Sequence, residues 1–197
     1  MGKIFYLMGK SSSGKDTIYR NLMKEKDLQL KKIVPYTTRP IRANEKEGIQ
    51  YHFTDVEGFN RLKEQGKIVE DRTYNTFYGE WKYFTVDDGD IKLDESNYLI
   101  IGTPESYNAT KKYFSDEQVL PILIVVDDGE RLSRALKRER KQETPKYEEM
   151  CRRFLADAED FSEEKLNECG ISKEYRFNNE NLEDCIKAVK SFIERNR

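Results

Sequence analysis

Apolar and polar positions change period in a regular order along this chain. Ile4 to Met8 is a short apolar run flanked by Gly2 and Gly9, the form of a buried parallel strand. From Lys15 to Lys26 the apolar residues Ile18, Leu22 and Met23 recur at three-to-four spacing, which predicts a helix with one buried stripe. Leu30 to Tyr36 predicts a return to the sheet, and the polar stretch Thr37 to Tyr51, with Pro40 and Gly48, predicts surface or site rather than core. Val56, Phe59 and Leu62 predict a short helix over Val56 to Gln65 that stops at Gly66. Between Lys67 and Val86 the aromatics Tyr74, Phe77, Tyr78, Trp81, Tyr83 and Phe84 stand among β-branched residues, a composition for short strands in a small β-rich lobe. Tyr98 to Ile101 and Leu120 to Val126 are apolar runs without alternation, as in strands covered by helices on both faces. Glu130 to Arg140, Tyr147 to Phe161 and Leu182 to Ile193 predict later helices. Strands alternating with helices predict an α/β fold, a doubly wound parallel sheet with helices on both faces.

Length and charge narrow the class. The 197 residues fit one domain, and 35 Lys+Arg against 37 Asp+Glu give a net charge of −2, which excludes a polyanion-coating protein and predicts no nucleic-acid partner. The longest apolar run, Val119 to Val126, is broken by Pro121 and is far shorter than the roughly 20 residues of a spanning helix, so no membrane partner is expected. The N-terminus shows neither a leader pattern nor a myristoylation signal, which predicts a cytoplasmic protein. Cys151, Cys169 and Cys185 are odd in number and lack C-x-x-C spacing, and His52 is the sole histidine, so neither a disulfide framework nor a zinc site is indicated.

Gly9-Lys10-Ser11-Ser12-Ser13-Gly14-Lys15 matches G-x-x-x-x-G-K between a predicted strand and a predicted helix. In that setting glycines let successive N–H groups turn inward, the helix adds its positive end, and the Lys15 ammonium reaches the β and γ phosphates of a nucleoside triphosphate. The next residue is Asp16 rather than the hydroxyl residue that usually ligates Mg²⁺, and Thr17 follows. Asp16 has two readings here: a ligand to Mg²⁺, directly or through water, or a favourable charge at the helix N-terminus.

About twenty residues on, Thr37-Thr38-Arg39-Pro40-Ile41-Arg42-Ala43-Asn44-Glu45-Lys46-Glu47-Gly48-Ile49-Gln50-Tyr51-His52-Phe53 fits T-T-R-x-x-R-x-x-E-x-x-G-x-x-Y-x-F at every fixed position. Here the chain resembles the guanylate kinase family, over nearly its whole length. The resemblance implies a phosphate-loop core (1–34, 96–128 and 170–197), a monophosphate-binding lobe (35–95) and a helical lid with its following helix (129–169). It implies that Arg39, Arg42 and Tyr51 hold the acceptor phosphate, that Glu45 orients the lobe, that Glu70 accepts hydrogen bonds from guanine, and that Tyr78 adds a phosphate contact. Arginine forks beside a phenol suit a dianionic phosphate, and a carboxylate suits guanine's N1–H and amino group. In the lid it implies catalytic roles for Arg138, Arg140 and Arg153 beside Lys15 and Arg42, and it makes Asn178 an adenine neighbour. His52 reads as structural.

Some positions depart from the family's pattern. The strand that ends in two aspartates in the family reads Ile100-Ile101-Gly102-Thr103 here, leaving neutral Thr103 at the acceptor. A small hydroxyl residue after the Tyr78 equivalent is replaced by Glu80, and a serine before T-T-R by Pro35. Asp127 and Asp128 offer another acidic pair at the lid entrance. The expectation is ATP- and Mg²⁺-dependent phosphorylation of GMP by a monomer or homodimer. Two alternatives stand beside it: a kinase for another nucleoside monophosphate or a phosphorylated sugar, and a catalytically weak module that binds phosphoproteins.

Overall fold

The structure, a computed structural model, describes residues 2–42, 45–76 and 79–197, without the side chain of Thr76. Strand β1 (Ile4–Met8) lies at the centre of a five-stranded parallel sheet, between β7 (Asn97–Ile101) and β8 (Val119–Val125), with β2 (Leu30–Lys32) and β9 (Arg176–Asn178) at the edges. Its five residues are wholly buried because each alternate side chain meets a different layer. Ile4, Tyr6 and Met8 join Tyr107 of α3 (Pro104–Tyr113) and Leu166 of α6 (Glu163–Glu168) on one face. Phe5 and Leu7 join Ile18 and Leu22 of α1 (Lys15–Leu22) and Val189, Phe192 and Ile193 of α7 (Leu182–Asn196) on the other.

The chain leaves this sheet earlier than its apolar run predicts. Ile33 N–H still reaches the Leu99 carbonyl, but Pro35 has no N–H to continue the ladder. Tyr36 and Thr37 instead open a second sheet as β3 (Tyr36–Thr37), beside β4 (His52–Phe53) and β6 (Gly79–Val86), which pairs with β5 (Ile68–Thr76). Its core is small: Phe84 stacks on Tyr36 at 5.4 Å and meets Phe59 of α2 (Val56–Glu64) edge-on at 4.9 Å. Helix α1 is also shorter than its periodicity suggests, because the chain tightens through Met23–Glu25 and a 3-10 turn at Lys26–Leu28 drops Leu28 into the core.

Helices α4 (Asp128–Glu139) and α5 (Tyr147–Asp160) cover the phosphate-loop end of the main sheet. Among the described residues no helix is long and apolar enough to cross a membrane.

Candidate active site

The glycine-rich loop springs from the carboxyl end of the central strand, where ligands of open α/β sheets bind. Met8 ends β1, Lys15 begins α1, and Gly14 between them sits at φ 88°. Glycine is required at 14 twice over: its left-handed backbone suits no Cβ, and a Cβ there would collide with the side-chain amide of Asn179. Ser12 takes the same region at φ 63° without that freedom. The hydroxyl oxygens of Ser12 and Ser13 are buried with no hydrogen-bond partner among the described residues, as polar groups await a polar ligand. Lys15 is half-buried, and its ammonium makes no hydrogen bond or ion pair among the described residues.

Asp16 is exposed in the first turn of α1, and Thr17 Oγ1 accepts from Arg20 Nη2 at 3.3 Å. Among the described residues there is no group of three or more His, Cys, Asp or Glu that could hold a metal ion by itself. A carboxylate and a hydroxyl oxygen nevertheless suit Mg²⁺, a hard cation that takes its remaining ligands from nucleotide phosphates and water.

Asn178 and Asn179 take different places. Asn178 is exposed and donates to Glu180 at 3.0 Å. Asn179, 3 % exposed, donates from Nδ2 to the Ser13 carbonyl at 2.7 Å while its own N–H bonds Val125. The buried neighbour therefore braces the phosphate loop. A one-residue difference in how the edge strand β9 meets β8 decides which asparagine turns inward, and no local signal separates them.

The lid is fastened to the same loop by charge. Arg131 is 1 % exposed, donates to Asp128 Oδ1 from Nε at 3.0 Å and Nη2 at 2.7 Å, and donates from Nη1 to the Ser11 carbonyl at 3.0 Å and Asp157 at 3.4 Å. Its guanidinium lies over Phe154 at 4.7 Å. Asp157 Oδ2 in turn accepts the Ser11 N–H at 2.7 Å. Arg131, beside Lys10, holds the Asp128 carboxyl below the usual range. Asp127 caps α4 by accepting the Glu130 N–H, so the acidic pair at the lid entrance serves helix and lid rather than an open cation site.

Of the lid arginines expected at nucleotide, Arg153 reaches the loop, donating to Ser11 Oγ at 3.3 Å. Arg138 and Arg140 are exposed and their side chains make no hydrogen bond or ion pair among the described residues. Arg134 reaches the Asn179 carbonyl at 3.3 Å. Arg131, Arg134, Lys137, Arg138, Arg140 and Lys141 form a run of cations of the kind that usually makes a solvated face, and Arg131 is the buried one.

In the smaller lobe, Arg39 is 3 % exposed, and both its terminal nitrogens are committed to Glu45, at 2.9 and 2.8 Å. It lies against Tyr51 at 5.4 Å and Phe53 at 5.6 Å, with Nε buried and without a hydrogen-bond partner among the described residues. Arg39 holds the Glu45 carboxyl below the usual range, and the Arg42 N–H adds to this at 2.9 Å. Arg42 itself is exposed and Tyr51 half-buried, its phenol pushed up by burial. Arg152 chiefly, with Arg153 and with Arg42 of the smaller lobe, holds the Glu149 carboxyl low, so Arg153 and Arg42 project their fields onto one carboxylate. His52 pairs with Glu47 at 2.8 Å, a lobe-internal contact. Tyr78 lies outside the described residues.

Glu70 is 5 % exposed and already engaged, accepting from Thr85 Oγ1 at 2.8 Å and Arg72 Nε at 3.0 Å. Thr103 caps α3 in a reciprocal box with Ser106 and accepts from Arg72 Nη1 at 3.3 Å. Tyr6, beneath, has a buried hydroxyl pushed up to about 12 by burial, and a Cβ on Gly102 would stand 2.5 Å from it. Arg72 was legible only as a basic residue two places after Glu70 on a predicted strand, hence on the same face.

The family model for guanylate kinase matches residues 1–196. A guanylate kinase of Caldanaerobacter subterraneus subsp. tengcongensis is 30 % identical over 199 residues, covering 100 % of this chain and 92 % of that protein. A guanylate kinase of Mycoplasma mobile is 29 % identical over 208 residues, covering 98 % and 93 %. The crystal structure of guanylate kinase from Anaplasma phagocytophilum superposes with a TM-score of 0.66 at 20 % identity, covering 98 % of this chain and 85 % of that one, a likeness of fold.

Proposed function

The chain belongs to the guanylate kinase family, and on that premise we propose that it transfers the γ-phosphoryl group of ATP to the phosphate of GMP, yielding ADP and GDP. The observation that carries this reading is the glycine-rich loop itself: Gly14 at φ 88°, and buried serine hydroxyls and a Lys15 ammonium that find no partner among the described residues. A binding module that had lost catalysis would have no need of that set.

In the proposed reaction Gly9, Lys10, Ser11, Ser12, Ser13 and Gly14 wrap the triphosphate, Lys15 meets its β and γ phosphates, and Asn179 keeps the loop in shape. Asp16 and Thr17 would hold Mg²⁺ together with the nucleotide, and the ion would supply positive charge against the phosphate oxygens. Tyr51 and Arg42 would receive the acceptor phosphate, with Arg39 and Glu45 as the frame behind them. The acceptor oxygen is already anionic near neutral pH, so no strong base is needed; alignment, exclusion of water and neutralisation of spreading charge carry the rate. Arg153, already at Ser11, is the lid residue best placed for that neutralisation. Arg138 and Arg140 would reach nucleotide only after the lid moves. ATP supply gives the reaction a cytoplasmic setting.

The test is a coupled ADP-release assay with ATP, Mg²⁺ and GMP. Lys15→Ala is expected to lower kcat roughly a hundredfold or more while leaving the melting temperature nearly unchanged. Unaltered turnover in that variant would remove the assignment.

A further inference from the structure

The inner face of the β5–β6 hairpin holds more than a base-reading carboxylate. The register sets Glu70 opposite Thr85 and Arg72 opposite Tyr83, so Glu70 and Arg72 share one face. Thr85 Oγ1 and Arg72 Nη2 both point at Glu70 Oε1, at 2.8 and 3.5 Å, and Arg72 Nε donates to Oε2 at 3.0 Å. An ionised carboxylate offers about four acceptor positions, so about one remains, on Oε2. After its bonds to Glu70 and Thr103 each terminal nitrogen of Arg72 has one further proton, one of them taken up by the Tyr74 phenol, which leaves one donor for a ligand.

One acceptor position next to a guanidinium donor complements a lactam, N1–H beside a 6-oxo group. Adenine presents the reverse pattern on those two atoms. Guanine's 2-amino group would need a further acceptor, and the Glu70 positions that could serve it are taken by Thr85 and Arg72. Glu80, where the family has a small hydroxyl, is paired with Lys82 at 2.7 Å and is engaged there.

We propose that Arg72 is a specificity-determining residue of the acceptor site, donating to the 6-oxo group while Glu70 accepts N1–H, so that the site takes 6-oxopurine nucleoside monophosphates with little regard for the 2-amino group. IMP is then a substrate alongside GMP, and AMP is not. This rests on the phosphotransferase reading above.

The test measures kcat/KM with ATP and GMP, IMP or AMP. IMP is expected within roughly tenfold of GMP, and AMP about a hundredfold or more below both. Arg72→Met is expected to lower the GMP and IMP values together by roughly tenfold or more, the loss of a hydrogen bond from a charged donor. Arg72→Lys, which keeps a cation beside Glu70 but not the fork, is expected to lose both in parallel and serves if the methionine variant fails to fold. A preference for GMP over IMP of about a hundredfold, or folded Arg72 variants with unchanged values, overturns the proposal. If no monophosphate is phosphorylated, the transferase reading fails separately, and calorimetric titration decides the base reading. Similar affinities for GMP and IMP that fall together in the Arg72 variants support it, and binding of GMP alone or of neither overturns it.

Discussion

Replacing Arg131 by methionine keeps an unbranched apolar stem over Phe154 and deletes the charge that joins lid to loop. Two ion pairs break, and they are unequal. Asp128 is 53 % exposed and retains Lys10, so its loss is that of a surface pair, about 0–1 kcal/mol. Asp157 is 16 % exposed and is left with the Ser11 N–H as its remaining donor, which brings the case nearer to a buried carboxylate stripped of its partner, about 3–5 kcal/mol. Partial access of water to Asp157 favours the lower end, and the expected loss is about 3 kcal/mol. For a chain of this length each kcal/mol moves the melting temperature by about 2–4 °C, so the variant should melt roughly 6–12 °C early. Thermal unfolding followed by circular dichroism measures this. The double variant Arg131→Met/Asp157→Leu removes both charges and should recover about 1 kcal/mol or more relative to additivity. A melting temperature within about 2 °C of the parent, with additive single effects, would refute the role given to this pair.

Other consequences are open to direct measurement. Asn179→Ala leaves the Ser13 carbonyl without its buried donor and should destabilise by about 1–3 kcal/mol while weakening ATP binding in calorimetric titration, whereas Asn178→Ala should do neither. Ser12→Gly exchanges left-handed strain for extra freedom in the unfolded chain and should shift the melting temperature little, whereas Ser12→Val should lose more than about 1 kcal/mol. Glu45 has a depressed carboxyl in the folded state, so its pairing stabilises the protein above the ordinary carboxylate range, near pH 4, and is lost as pH falls through the lower folded value. Urea unfolding between pH 6 and roughly pH 3 should therefore show a shallower acid loss in Glu45→Gln than in the parent.

The framework was readable because its signals are local. Ile4–Met8 is apolar on both faces, the glycine loop follows at once, and Arg39, Arg42 and Glu45 fall within one short motif. What escaped reading depends on partners far along the chain. Helix α3 buries Ser106 and Thr110 beside Tyr107, so its inner face has no apolar stripe to announce it. Arg131 becomes a core residue only because Asp157, on the next helix, comes back to it, and sequence alone gives a run of cations no reason to turn one inward. Arg72 is hidden in the same way, behind a threonine that caps α3, 31 residues further along the chain. Asn178 and Asn179 differ only in register.

The glycine-rich loop is attached to a strand buried along its whole length, whereas the smaller lobe rests on a compact trio of Phe59, Phe84 and Val86. Amide hydrogens of Phe5 and Leu7 should therefore exchange with solvent only when the whole chain opens, and those of β3 and β6 through a smaller, more frequent excursion. The donor would meet a preformed cradle, and the acceptor a lobe that breathes.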